Sequence, residues 1–142
     1  MRIVFVCTGN TCRSPMAEGI LKKEREDLEV ISRGLYVPEE MCASFNSIKV
    51  MEDMDIDISN HRSKQLTVGD GEDCDLIITM TASHKNTILS ACPDFSGKTF
   101  TLAEFAGDDG DVSDPYGGDF SEYKKCADKI YELILKADWS KK

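Results

Sequence analysis

Strand and helix signals alternate along this chain. Strands are predicted over residues 2–7, 29–34, 76–80 and 98–102; the first is a continuous apolar run, and the third is predicted to be buried. Apolar residues at helical spacing predict helices over residues 14–28, 45–54, 83–91 and 120–137. Because strands that alternate with helices usually pair side by side in one direction, this order predicts an α/β domain whose sheet is mainly parallel.

The clearest helix start follows the first strand. Ser14 is a favourable N-cap and Pro15 suits the first helical position, so a helix is predicted from here to about residue 28. Its apolar face contains Met16, Ala17, Ile20, Leu21 and Leu28. Ser44 is the predicted cap of the next helix.

Two stretches lack a regular pattern. Residues 55–73 favour neither a helix nor a strand clearly. Residues 106–119 are rich in Gly and Asp and contain the run Asp114-Pro115-Tyr116-Gly117-Gly118. Because a loop of this length in a compact domain is usually functional or mobile, residues 106–119 are a candidate part of a site.

Composition narrows the class of protein. The 142 residues predict one domain, 1–142, with enough chain to bury a core. The net charge of −9 argues against nucleic-acid or anionic-membrane partners. No window approaches the roughly 20 apolar residues that span a bilayer, and no signal-peptide pattern is found. We therefore expect a cytoplasmic protein.

The cysteines do not indicate a metal site. The chain has six, with no Cys-x-x-Cys pair and no closely spaced Cys/His quartet. Zinc binding and a disulfide framework are therefore not expected, and reduced thiols are. No metal and no cofactor are predicted.

Residues 7–14 read Cys-Thr-Gly-Asn-Thr-Cys-Arg-Ser, between a predicted strand and a predicted helix. A helix start exposes unpaired backbone N–H groups and a partial positive charge, an arrangement that binds phosphate. The same field favours the thiolate form of Cys7, which is the nucleophilic form. The five residues between Cys7 and Arg13 allow the loop to surround one phosphate and return a guanidinium over the thiol. The sequence therefore predicts a nucleophile placed against a bound oxyanion.

These motifs resemble a known family. Residues 6–18, together with Asp114-Pro115-Tyr116-Gly117 far downstream, are similar to the low-molecular-weight protein-tyrosine phosphatases over essentially the whole chain. The resemblance implies a flavodoxin-like fold, with four parallel strands in the order 2-1-3-4 and helices on both faces. It also implies a monomeric enzyme without metal that acts on phosphorylated proteins.

The resemblance assigns roles in catalysis. Cys7 is the nucleophile that becomes a phosphocysteine, and Arg13 clamps two phosphoryl oxygens. Asp114 protonates the leaving group and then deprotonates the water that hydrolyses the intermediate. The Ser14 hydroxyl donates to the Cys7 sulfur, and Asn10 holds the loop through Ser32 and His61. The residues expected to bind substrate are Thr8, Gly9, Asn10, Thr11, Cys12, Ser14 and Tyr116.

Thr11 carries the prediction of substrate specificity. Tyrosine-selective members generally have a bulkier aliphatic residue at this rim position, whereas Thr11 and the Asp-Pro-aromatic-Gly-Gly loop are similar to the bacterial protein-arginine phosphatases. Because Gly117 follows Tyr116, one aromatic wall of a phosphotyrosine slot is missing. The hypothesis is therefore a phosphoarginine phosphatase, and a phosphotyrosine phosphatase is the alternative.

Other interpretations of the same residues stay open. A cysteine at the end of a buried strand is usually only a small apolar residue, and the spacing to Arg13 is what argues otherwise. Cys12 is either a packing residue or a thiol that traps oxidised Cys7 as a disulfide. A thioredoxin-coupled arsenate reductase is less favoured because it needs two further cysteines close in sequence. A non-catalytic phosphate-binding module is the remaining alternative.

Overall fold

The computed structural model describes residues 1–140 of the chain. Four strands form one parallel sheet in the order β2-β1-β3-β4, which confirms the predicted topology. The strands are β1 (Arg2–Cys7), β2 (Glu29–Gly34), β3 (Leu76–Thr79) and β4 (Thr99–Thr101). Cys7 pairs with Gly34 at the end of β1, so the predicted site lies at the carboxyl edge of the sheet.

Helices connect the strands and cover both sheet faces. In the described chain they are α1 (Arg13–Glu24), α2 (Phe45–Asp53), α3 (Val68–Asp73), α4 (Ala82–Ala91), α5 (Leu102–Phe105) and α6 (Phe120–Lys136), with a 3₁₀ turn at Pro93–Gly97. Side chains of β1 alternate between the faces. Ile3 and Phe5 join one apolar cluster with α1 and α6, whereas Val4 and Val6 join another with Ile88 of α4. The flavodoxin-like arrangement is therefore confirmed.

The start of α1 differs from the prediction. The helix begins at Arg13, Cys12 is the residue before it, and Pro15 is the third helical residue instead of the first. Pro15 is tolerated there because the first N–H groups of a helix have no intrahelical partner. The prediction of Ser14 as N-cap was wrong, since its hydroxyl contacts Cys7 and Asn10 and caps no backbone N–H.

Other boundaries shift by a few residues. Helix α1 ends at Glu24, not near residue 28, because the chain turns at Arg25 to enter β2 at Glu29. Ser44 caps α2 as predicted, accepting from the Ser47 N–H. The unassigned stretch 55–73 contains α3, whose start is fixed by a capping box between Thr67 and Asp70. No helix among residues 1–140 is long and apolar enough to cross a bilayer.

Candidate active site

The Cys7 loop (residues 7–14) leads from β1 into α1 with its carbonyl groups turned away from its centre. The carbonyls of Cys7, Thr8 and Thr11 accept backbone N–H groups from residues 35, 36 and 44, at 2.9–3.0 Å. In the described chain, outside regular helix and strand bonding, no N–H from Thr8 to Ser14 donates to another backbone group. The N–H groups of the loop residues that line the pocket, which are Thr8, Gly9, Thr11, Cys12 and Arg13, are therefore available to a bound anion, as the sequence predicts.

Asn10 holds the Cys7 loop from inside. Its backbone is left-handed, with φ of +57°, and its side chain is fully buried. The side-chain amide donates to the hydroxyls of Ser14, at 2.7 Å, and Ser32, at 3.0 Å. Its carbonyl oxygen accepts the Lys64 N–H at 3.0 Å, and His61 Nε2 lies 2.7 Å from its backbone oxygen. The structure thus brings together the Asn10, Ser32 and His61 that the resemblance grouped.

The hydrogen bonds of Asn10 set the direction of the bond to the sulfur. Because the Ser14 oxygen accepts from Asn10, its own hydrogen is left for the Cys7 Sγ, 2.9 Å away. Ser32 in turn donates to the Glu18 carboxylate at 2.6 Å. Cys7 is 3% exposed. A continuous chain of hydrogen bonds therefore leads from Glu18 through Ser32, Asn10 and Ser14 to the Cys7 sulfur. Glu18 lies within the motif of residues 6–18, but the sequence assigns it no role.

Arg13, the first residue of α1, is buried. Its Nη1 donates to the Val112 carbonyl at 2.9 Å, and its Nη2 is 3.6 Å from the Asp114 Oδ2. The contact with Val112 is not foreseeable from the sequence, because a backbone carbonyl gives no side-chain signal. This bond ties the guanidinium to the segment that also carries Asp114.

The Asp114 loop (residues 106–119) is attached near its middle. The Val112 N–H donates to the Met80 carbonyl at 2.9 Å, and the Asp111 carboxylate accepts the Ala82 N–H at the start of α4 at 2.9 Å. Beyond these bonds Asp114 has a half-exposed side chain, whose Oδ1 accepts the Tyr116 N–H at 3.0 Å. The loop therefore directs a carboxylate towards Arg13.

A pocket of about 290 Å³ joins the two loops. It is lined by Cys7, Thr8, Gly9, Thr11, Cys12, Arg13, Tyr36, Asp114 and Tyr116. Asn10 and Ser14, predicted to bind substrate, support the loop from below and do not line the pocket. Tyr36 was not among the predicted site residues; it is 71% exposed and forms a second aromatic wall with Tyr116, which is 79% exposed.

Cys12 packs beneath the rim. Its Sγ lies 3.6 Å from the Tyr123 hydroxyl and 3.5 Å from the Ser44 hydroxyl, and burial raises the pKa of Tyr123 to about 12. Cys7 and Cys12 are both reduced in this structure. The trapping disulfide between them stays a prediction. Within residues 1–140 no group of three metal-ligating side chains is found.

Comparison with known proteins shows the family. Residues 2–137 match the family model described as low molecular weight phosphotyrosine protein phosphatase. A protein-arginine-phosphatase of Geobacillus stearothermophilus is 41% identical, over 94% of this chain and 90% of its own. The low molecular weight protein-tyrosine-phosphatase PtpB of Staphylococcus epidermidis is 40% identical, over 96% of each chain.

A solved structure of a named arginine phosphatase shares the fold. It is a serine mutant of the YwlE arginine phosphatase whose active-site serine is phosphorylated; it superposes with a TM-score of 0.90 and 39% identity, over 96% of this chain and 92% of its own. The prediction of a phosphatase with the bacterial arginine phosphatases among its relatives is confirmed. The chain belongs to the low molecular weight phosphotyrosine protein phosphatase family.

Proposed function

We propose that this phosphatase hydrolyses phosphoarginine in proteins through a phosphocysteine intermediate. The observation that carries the proposal is the convergence of three groups on one pocket: the Cys7 sulfur bonded to Ser14, the Arg13 guanidinium and the Asp114 carboxyl. Each supplies a different element of phosphoryl transfer, namely the nucleophile, the charge clamp and the proton.

In the first step the Cys7 thiolate attacks phosphorus. The S–P bond forms as the P–N bond to the arginine side chain breaks, and the departing nitrogen takes the proton of Asp114. Arg13 and the unpaired N–H groups of the Cys7 loop hold the phosphoryl oxygens throughout. The phosphorylated active-site serine of the YwlE mutant supports attack from this position in that relative.

In the second step water attacks the same phosphorus. Asp114, now a carboxylate, takes a proton from the water; the S–P bond breaks, and inorganic phosphate and the Cys7 thiolate are released. The Ser14 hydroxyl donates to the sulfur as it becomes negative, which stabilises the leaving thiolate.

Two features support phosphoarginine over phosphotyrosine. Thr11 lines the pocket with a small polar side chain, which suits a guanidinium better than a phenyl ring. The Asp114 loop turns at Gly117, whose φ is +82°, and the Gly118 N–H donates to the Pro115 carbonyl at 2.8 Å. A bulky aromatic residue is strained in this conformation, so a second aromatic directly after Tyr116 is disfavoured.

Phosphotyrosine remains the second candidate because of Tyr36. Tyr36 lines the same pocket as Tyr116. Two aromatic walls can stack on a phenyl ring as well as on a planar guanidinium. Several relatives carry a protein-tyrosine-phosphatase name, including the PtpB protein above.

The test is competition between two phosphopeptides of one sequence, one carrying phosphoarginine and the other phosphotyrosine. We expect the wild-type kcat/KM to favour phosphoarginine, and Thr11→Ile to reduce that preference about 10-fold or more, because isoleucine replaces the polar rim that suits a guanidinium with a bulkier apolar one. Thr87→Ile, on the exposed side of α4, is the matched control and should leave the ratio unchanged. A wild-type preference for phosphotyrosine would contradict the proposal.

We also propose that the enzyme acts as a monomer in the cytoplasm. Both thiols of the Cys7 loop must stay reduced for turnover, which fits a reducing compartment. Gel filtration with light scattering tests the monomer; a stable dimer at micromolar concentration would contradict it. Fractionation of the native cells tests the compartment.

A further inference from the structure

His84 is a buried histidine that reaches the pocket through one other residue. Its side chain is 6% exposed, and its Nε2 lies 2.9 Å from the Oγ1 of Thr8. Thr8 is exposed and lines the pocket beside Cys7, whereas His84 is not among the described residues that line it. Any effect of His84 on a bound substrate therefore passes through the Thr8 hydroxyl.

The surroundings of His84 keep its ring neutral. Burial and the nearby charge of Arg13 lower its pKa to about 4, although the carboxylates of Asp111 and Asp114 act in the opposite direction. His84 is also the third residue of α4, where the partial positive charge of a helix start disfavours an imidazolium. At neutral pH the ring consequently carries a single N–H.

The position of that single hydrogen follows from the other ring nitrogen. Nδ1 is buried, and no hydrogen-bonding group within residues 1–140 is in reach of it. A hydrogen on Nδ1 would leave a buried N–H without a partner, which is rarer in proteins than an unused acceptor. A hydrogen on Nε2 has a partner, because it is donated to the Thr8 hydroxyl oxygen.

We propose that His84 is a positioning residue that fixes the Thr8 hydroxyl as a hydrogen-bond donor to the phosphoryl group of the substrate, an inference that rests on the proposed function. Because the Thr8 oxygen accepts from His84, its own hydrogen is left for another acceptor, and Thr8 lines the pocket in which the phosphoryl group would bind. Phosphoryl oxygens carry negative charge and accept such bonds strongly. His84 thus acts at a distance from the reacting atoms.

The first experiment measures the tautomer directly. Nitrogen-15 NMR of the labelled, full-length protein should show the His84 ring neutral, with hydrogen on Nε2, between pH 6 and 8. A ring with hydrogen on Nδ1, or an imidazolium at pH 6, would overturn the proposal. This measurement does not depend on any enzymatic activity.

The second experiment removes each partner. Thr8→Val keeps the shape of the side chain without its hydroxyl; we expect it to raise the inhibition constant of inorganic phosphate and to lower kcat/KM for p-nitrophenyl phosphate, each by about 5- to 20-fold. Thr8→Ser restores a hydroxyl and should recover most of this loss. Thr87→Val, on α4, is the control and should match the wild type.

The double variant separates positioning from general damage. If His84 acts only through Thr8, His84→Leu costs activity in the wild type but little more in Thr8→Val, so the two losses do not add. Additive losses, or a Thr8→Val enzyme with wild-type constants, would overturn the proposal. A wild-type protein that does not hydrolyse p-nitrophenyl phosphate would instead contradict the proposed function.

Discussion

The Cys7 loop and the Asp114 loop line one pocket but are held in different ways. In the Cys7 loop, Asn10 and Ser14 are fully buried, and each is bonded to several partners within the fold. In the Asp114 loop, Asp114 and Tyr116 are exposed and bond mainly to each other. Apart from the 3.6 Å contact between Asp114 and Arg13, the bonds that join this part of the loop to the sheet and to α1 and α4 are made upstream, at Asp111 and Val112.

This difference matches the two tasks that we propose for the loops, namely charge stabilisation by the Cys7 loop and proton transfer by the Asp114 loop. A group that stabilises developing charge is effective only if it is already in place, because rearranging dipoles during the reaction costs free energy. A proton donor needs only to reach the leaving group, and an exposed loop also lets a protein substrate approach. Substitutions in the Cys7 loop should therefore affect folding and chemistry together, whereas those in the Asp114 loop should affect chemistry alone.

The largest effect is expected from Cys7→Ser. Without the thiolate the first step has no effective nucleophile, so kcat for p-nitrophenyl phosphate should fall about 10⁴-fold or more. The variant should still bind inorganic phosphate, because the N–H groups and Arg13 remain. Cys42→Ser, at an exposed position, is the matched control. Residual activity above about one per cent of wild type would contradict the role of Cys7.

Asp114→Asn should show the next largest effect. Loss of the proton donor should lower kcat about 10²- to 10⁴-fold for phosphoarginine, whose leaving group must be protonated, and less for p-nitrophenyl phosphate. The free energy of unfolding should change by no more than about 0.5 kcal/mol, because the side chain is half-exposed. Asp109→Asn, in the same loop, is the control. Equal losses on both substrates would argue against a general acid.

The geometry of the Cys7 loop can be predicted from the sequence better than that of the Asp114 loop, for a physical reason. Strand, loop and helix are contiguous around Cys7 and Arg13, so local spacing alone nearly fixes their geometry. The sheet order also follows from the family resemblance and is confirmed. By contrast, the Asp114 loop is placed by bonds of Asp111 and Val112 to residues 29 and 99 positions away in sequence, which no local pattern reveals.

Contacts between distant parts of the chain also explain the residues that the sequence misassigns or misses. Ser14 looks like a helix cap because its residue type is typical of one, but the Cys7 sulfur and Asn10 compete successfully for its hydroxyl. Tyr36 and His84 lie on other elements and meet the site only after folding. Their residue types carry no signal of function, since exposed tyrosines and buried histidines are common in proteins without such a role.

Asn10→Ala tests whether folding and chemistry fail together in the Cys7 loop. The change removes the bonds of the Asn10 side chain to the buried hydroxyls of Ser14 and Ser32 and to the Lys64 N–H, and it puts alanine at a positive φ. Urea unfolding should show a loss of about 2–4 kcal/mol, with kcat/KM also reduced. Asn86→Ala, exposed on α4, is the control. A fall in kcat/KM without a fall in the free energy of unfolding would contradict the expectation that folding and chemistry fail together in the Cys7 loop.

A smaller effect links the Cys7 loop to pH through His84. Its pKa of about 4 in the folded protein lies below the ordinary value of 6.5, so between these values the unfolded chain binds more protons and stability falls as the pH falls. Between pH 7 and pH 5 this costs the wild type about 2 kcal/mol. His84→Gln should lose correspondingly less over the same interval. If the unfolding free energies of the two proteins depend on pH in the same way, the pKa of His84 is not lowered in the folded protein.

The smallest effect is expected at Gly117, where the Asp114 loop turns. Alanine at a φ of +82° is strained by about 1 kcal/mol if the turn is kept. Because this part of the loop has few bonds to the rest of the fold, it can relieve the strain locally. Gly117→Ala should therefore lower the unfolding free energy by less than that amount, yet reduce kcat for phosphoarginine severalfold by displacing Asp114.

Gly97→Ala is the matched control for Gly117→Ala, because Gly97 has no positive φ and its added methyl group would meet no atom within 4 Å. If Gly117→Ala instead costs the full strain in global unfolding with unchanged kcat, the turn is held as firmly as the Cys7 loop. The exposed Asp114 loop would then be as pre-arranged as the buried one, and the accessibility of its proton donor would come from exposure alone, not from freedom to adjust.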